Sequence, residues 1–173
     1  KRGGEFEMAQ LWVNLPAKDK KTPARYQHLA KDNITVVPLA DDAGHARIIA
    51  GRFGSADGAA ETFTELNVWD IVLNSGAGAD LDVPASHNLM LVVLRGEVRI
   101  NGGQSVQASQ MATFERESGS VKVEAVGGEA KILLLSGVPI DEPVVGYGPF
   151  VMNTEAEIAE VMNEFRSGKF GAV

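Results

Sequence analysis

The sequence predicts an all-β fold, a sandwich or barrel of short strands that a small jelly roll fits, followed by one C-terminal helix. Three observations predict it. Nineteen glycines and seven prolines are scattered through the 173 residues, leaving apolar runs of strand length between them. Asn101-Gly102 is a tight-turn signal, because both residue types tolerate positive φ. Only near the C-terminus does the apolar period lengthen from two residues to that of a helix.

In chain order, Ile34 to Val37, Arg47 to Ile49 and Val68 to Leu73 are β-rich segments bounded by Gly, Pro, Asp or Asn. Leu89 to Leu94 is apolar throughout, as suits a core strand, and Gly96 ends it. Val98 and Ile100 alternate with Arg99 ahead of Asn101-Gly102, which predicts a hairpin. Val121, Val123 and Ala125 alternate with Lys122 and Glu124. Gly127-Gly128 then predicts a second hairpin returning through Ile132 to Leu135. Ile158, Val161, Met162 and Phe165 share one helical face, expected to pack on the domain's own sheet. Thr154 and Glu157 form a capping box, Glu155 and Glu157 suit the positive helix end, and Gly168 is placed to stop the helix. The expected division is residues 1–30 as an arm and linker strand, 31–152 as the barrel, and 153–173 as the helix and tail.

Composition narrows the function. An apolar content of 45% with 23% charged residues allows one good core. No run is long and apolar enough for a membrane helix, and the start lacks a signal peptide. A cytoplasmic location is the default expectation. The absence of cysteine excludes disulfides, a thiolate nucleophile and cysteine zinc sites. A net charge of −7 argues against direct binding of nucleic acid. Lys18, Lys20, Lys21 and Arg25 are the one basic run, broken by Asp19, and read as a solvated loop.

Catalytic signals are sparse. His28, His45 and His87 are far apart in sequence, whereas a metal site needs several converging ligands. His87 is the one weak candidate, since it precedes the Leu89 to Leu94 strand and follows Asp80 and Asp82. Its ordinary reading is a surface or hydrogen-bonded histidine. Ser136-Gly137 follows a strand without the elbow glycine of a nucleophile. Gly3-Gly4, Gly102-Gly103 and Gly127-Gly128 lack phosphate-loop spacing. Asp41, Asp42, Glu115 and Glu117 read as loop charges. No catalytic residue is assigned.

Longer strings carry more. FEMAQLWVNLPAKDKKTPARYQ, GRFGSADGAAETFTELNVWDIVL and PIDEPVVGYGPFVMNTEAEI resemble pirins in order and spacing. Between the second and third, PASHNLMLVVLRGEVRINGG resembles the central strand pair of the pirin C-terminal cupin. The resemblance implies a cupin-type jelly-roll β-barrel with a C-terminal α-helix. Pirins are two-cupin proteins whose N-terminal barrel holds one iron on three histidines and a glutamate. Some resemble quercetin-cleaving dioxygenases or act as nuclear coregulators. Those ligands belong to the other half, so no cofactor is expected in this chain. Here Leu and Val stand where a metal-binding cupin has its histidine pair, and Gln104 to Val123 holds no histidine.

Lys1 is not a methionine, so a fragment, a truncated product or a missing leader is expected. The expected function is a non-catalytic binding or assembly module. Its rivals are an iron-dependent pirin-type dioxygenase, given an upstream cupin, and a metal-free small-molecule binder. Apolar segments that would face the other cupin predict a homodimer through Leu11, Trp12 and Val13 and through Phe150, Val151 and Met152.

Overall fold

The computed structural model describes residues 3–4, 6–116 and 119–170; Glu117, one of the acids considered above, lies outside the described residues. The chain forms two compact units, Ala24–Pro139 and Lys1–Pro23 with Ile140–Val173.

The larger unit contains β1 (Thr35–Pro38), β2 (Gly44–Ala50), β3 (Arg52–Phe53), β4 (Ala56–Asp57), β5 (Leu66–Leu73) and β6 (Gly78–Val83). These are followed by β7 (Asn88–Arg95), β8 (Glu97–Ile100), β9 (Ser105–Gln107), β10 (Met111–Phe114), β11 (Gly119–Ala125) and β12 (Ala130–Gly137). One sheet runs β1-β2-β5-β12-β7-β10 and the other β6-β11-β8-β9, with every pairing antiparallel.

Alternation along the strands builds the core. Ile48, Trp69, Ile71, Leu91, Val93, Ile132 and Leu134 of the larger sheet join Leu81, Val98, Val121 and Val123 of the smaller in one cluster. Burying each such side chain contributes about 1.5–3 kcal/mol, which makes this hydrocarbon layer the main force holding the sheets together. The apolar run of β7 divides the same way: Leu89, Leu91 and Val93 are buried, while Val92 and Leu94 are half-buried and Met90 is exposed.

The hairpin expected at Asn101-Gly102 is present between β8 and β9, with φ of 49° and 69° at its two turn residues. The one expected at Gly127-Gly128 is not. β11 already has β6 and β8 on its two edges, and β12 has β5 and β7. The Gly127-Gly128 turn therefore carries the chain across from one sheet to the other. Alternation tells which side chains face inward, and two strands from opposite sheets alternate as well as two from one.

A second crossing is shorter still. Gly96 alone separates β7 from β8, which lie in opposite sheets. Its φ is 76°, and a Cβ there would sit 2.4 Å from the Glu129 carbonyl oxygen. Only glycine meets both conditions without strain.

The smaller unit holds the hairpin of β13 (Val145–Tyr147) with β14 (Phe150–Met152), then α1 (Glu155–Arg166). The Thr154 hydroxyl accepts from the Glu157 amide, as the capping box requires, while the Glu157 carboxylate accepts from the Asn153 amide. Gly168 follows the helix with φ 78°. Within this unit α1 meets the β13–β14 hairpin, a two-stranded sheet that was not expected. Ile158 is buried, and Phe165 packs edge-on against Phe150 with centroids 5.8 Å apart.

The basic run is less solvated than expected. Lys20 donates to the Asn14 side chain and to the Val151 carbonyl, and Lys21 pairs with Glu160 at 2.8 Å. In the larger unit Arg25 pairs with Glu61 and lies over the Phe63 ring. Among the described residues no helix is long and apolar enough to cross a membrane.

Candidate functional site at the barrel mouth

The register puts the start of β5, the end of β12, the start of β7 and the end of β10 at one edge of the larger sheet. Leu66 faces Gly137, Gly137 faces Asn88, and Leu89 faces Phe114. In the smaller sheet the end of β6 meets the start of β11, as Val83 faces Gly119. The loop between β6 and β7 bridges the two sheets here and carries His87. A cavity of about 220 Å³ opens at this mouth, lined by Val83, His87, Leu89, Phe114, Glu115 and Ser120 among others.

The inward positions of the larger sheet turn polar at this mouth. Asn67 continues the face of Trp69, Ile71 and Leu73, Ser136 continues that of Ile132 and Leu134, and both are buried. Asn67 accepts from the Arg52 amide through Oδ1 at 2.9 Å and donates through Nδ2 to Ser136 Oγ at 2.9 Å. Ser136 Oγ lies 3.2 Å from His87 Nδ1. That oxygen has one proton and a second lone pair, so it meets Nδ1 as donor or as acceptor according to the imidazole tautomer. Among the described residues buried Nε2 has no hydrogen-bond partner, and the Glu65 carboxylate stands 3.5 Å away with its side chain 73% exposed. That separation is too long for a hydrogen bond.

His87 is thus a buried, hydrogen-bonded histidine. Asp80 and Asp82, its neighbours in sequence, are exposed and alternate with buried Leu81 and Val83, so they face away from the cavity. His28 is exposed. His45 pairs with Val72 near the far end of β5. Among the described residues no three His, Cys, Asp or Glu side chains gather as a metal site. The interior positions of β7, where a metal-binding cupin would place ligands, hold Leu89, Leu91 and Val93. These residues do not fit an iron.

Ser136 resembles the nucleophile of a triad only superficially. Its hydroxyl is buried and saturated by Asn67 and His87, so it orients the imidazole instead of attacking anything. Sequence reasoning missed Asn67, Asn101, Phe114 and Ser120 as parts of the mouth, and it read Glu115 as a loop charge. The one local signal was a polar residue at the inward position of an otherwise apolar strand end. Of the six residues expected at an interface, Leu11, Trp12 and Val13 are exposed, Phe150 and Val151 are half-buried, and Met152 is buried.

A family model described as the pirin C-terminal cupin domain matches residues 68–171. The chain belongs to the pirin family. It is 45% identical over 97% of its length to a Pseudomonas aeruginosa protein named "Putative quercetin 2,3-dioxygenase", of which it covers 58%. A pirin-like protein of Caulobacter vibrioides is 35% identical, over 96% of this chain and 60% of that protein. Among solved structures, a quercetin 2,3-dioxygenase from Acinetobacter baumannii superposes with a TM-score of 0.89 at 43% identity, covering 93% of this chain and 56% of that one. The chain therefore spans somewhat under two thirds of the pirin-family relatives it matches, and the all-β cupin fold with a C-terminal helix is theirs.

Proposed function

We propose that this pirin-type barrel is a metal-independent binding unit whose working end is the His87 mouth. The observation that carries this reading is the distribution of polarity. The interior is hydrocarbon along β5, β7 and β12, and it becomes polar where the cavity opens. A concave site where an apolar interior meets several polar groups is suited to holding a small molecule. The names of the relatives suggest oxygen chemistry on quercetin, but these strands supply hydrocarbon where such chemistry would need ligands for a redox metal.

Elemental analysis of the purified chain after exposure to ferrous iron tests the proposal. The expected result is no stoichiometric metal and no quercetin cleavage in an absorbance assay. One tightly held metal per chain, lost in His87→Ala, or turnover abolished by a chelator, overturns it.

A second reading, self-association, is favoured by the exposed apolar arm, where Trp12 is 70% exposed beside Leu11 and Val13. Apolar side chains clustered in this way mark contact surfaces, and two-fold pairing closes such a patch on its own copy. Light scattering at micromolar concentration is expected to give twice the chain mass, and Trp12→Ala to lower it. A monomeric mass, unchanged by that substitution, rules the dimer out.

A further inference from the structure

We propose that the mouth cavity takes a small neutral molecule built on a single hydroxylated ring; this rests on the reading of the barrel as a binding unit and names its ligand class. Size sets the first limit. The cavity is about 220 Å³, and an apolar cavity of roughly 150 Å³ is enough to hold benzene. The space therefore suits one ring with a few substituents and is too small to take in all three rings of a flavonol.

Lining chemistry sets the second limit. Val83, Leu89, Phe114 and Val121 form apolar walls, against which a flat ring loses water and gains close contact. Asn101 and Glu115 supply the polar side. A carboxylate only accepts hydrogen bonds, so Glu115 selects a ligand that donates, as a hydroxyl does. No lysine or arginine is among the described lining residues. An anionic ring would bring its charge next to Glu115 with nothing to compensate it, and desolvating an unpaired charge is costly. The imidazole of His87 contributes a wall of fixed orientation, because Ser136 and Asn67 hold it.

The test titrates the full ¹⁵N-labelled chain with resorcinol and, separately, benzoate, following amide shifts at neutral pH. Resorcinol is expected to move the amides of Val83, Leu89 and Val121 with a Kd of about 1 mM or tighter. Benzoate is expected to bind the same site about tenfold more weakly. Two lining positions, half-buried Phe114 and exposed Glu115, give the variants. Phe114→Trp narrows the mouth and weakens the resorcinol response severalfold, while Glu115→Gln raises benzoate affinity and narrows the gap. Tighter binding of benzoate than of resorcinol, no resorcinol response in these amides, or an unchanged response in Phe114→Trp overturns the ligand class. Preference for benzoate defeats this inference while leaving the mouth a binding site, whereas a metal held through His87 defeats the underlying reading itself.

Discussion

Replacing Ser136 by alanine removes one hydroxyl and strands two buried partners. Asn67 Nδ2 loses its acceptor and His87 Nδ1 loses its contact with Oγ, both at buried positions. A buried polar group left unpaired costs about 1–3 kcal/mol, so the two together imply a loss of about 2–4 kcal/mol after some relaxation. The missing oxygen leaves too little space to add a large cavity penalty. With a urea m-value of about 2 kcal/mol/M for a chain of this size, the midpoint should fall by about 1–2 M. Urea unfolding followed by circular dichroism measures this, with exposed Ser120→Ala as the control expected to stay within about 0.5 kcal/mol of the parent. Combining Ser136→Ala with His87→Leu should give a loss smaller than the sum of the single changes by about 1 kcal/mol or more, because the partners share one network. A loss below about 0.5 kcal/mol for Ser136→Ala, or strict additivity with His87→Leu, would refute the argument that this hydroxyl holds the imidazole.

Three further outcomes follow from other parts of the molecule. Trp69 is buried against Phe53, and its indole N–H has no partner among the described residues, so Trp69→Phe should cost only about 1 kcal/mol while Trp69→Ala costs about 3–5 kcal/mol by chemical denaturation. Thr154→Ala removes the helix cap and should lower stability by about 1 kcal/mol, seen as increased amide exchange in the first turn of α1. The hydrogen bond between Lys21 and Glu160 holds the lysine above its ordinary pKa and the carboxyl below its own. Its small surface contribution is present with both groups charged, fades as pH falls through the depressed Glu160 value, and fades again as pH rises through the raised Lys21 value. In an NMR titration Lys21→Gln should move the Glu160 midpoint upward, and an unmoved midpoint would show that the pair does not persist in solution.

How legible this was from the sequence depended on distance along the chain. Period-two stretches such as Val121-Lys122-Val123 and the Asn101-Gly102 turn announced themselves, because their signals are local. β6 did not. Its residues Gly78, Asp80 and Asp82 have low strand propensity, and only Ala79, Leu81 and Val83 on its inner face anchor it. The polar cluster at the mouth was illegible for a different reason. Asn67 and Ser136 are 69 residues apart in sequence, and nothing near either one reveals the other. Their meeting is a product of the β5–β12 register. The isolated histidine His87 read as a surface or hydrogen-bonded residue, and its partners could be named only once the strands were paired.

The single-residue passage at Gly96 has a dynamic consequence. It ties the two sheets together at one end of β7, while His87 and the cavity stand at the other. At the mouth the sheets are joined more loosely, by the four-residue loop between β6 and β7, so the breathing between them is expected to be widest at the cavity and least at Gly96. Amide exchange should therefore slow steadily along β7 from Leu89 toward Leu94. A guest could then enter by the thermal breathing of a scaffold whose far end stays shut.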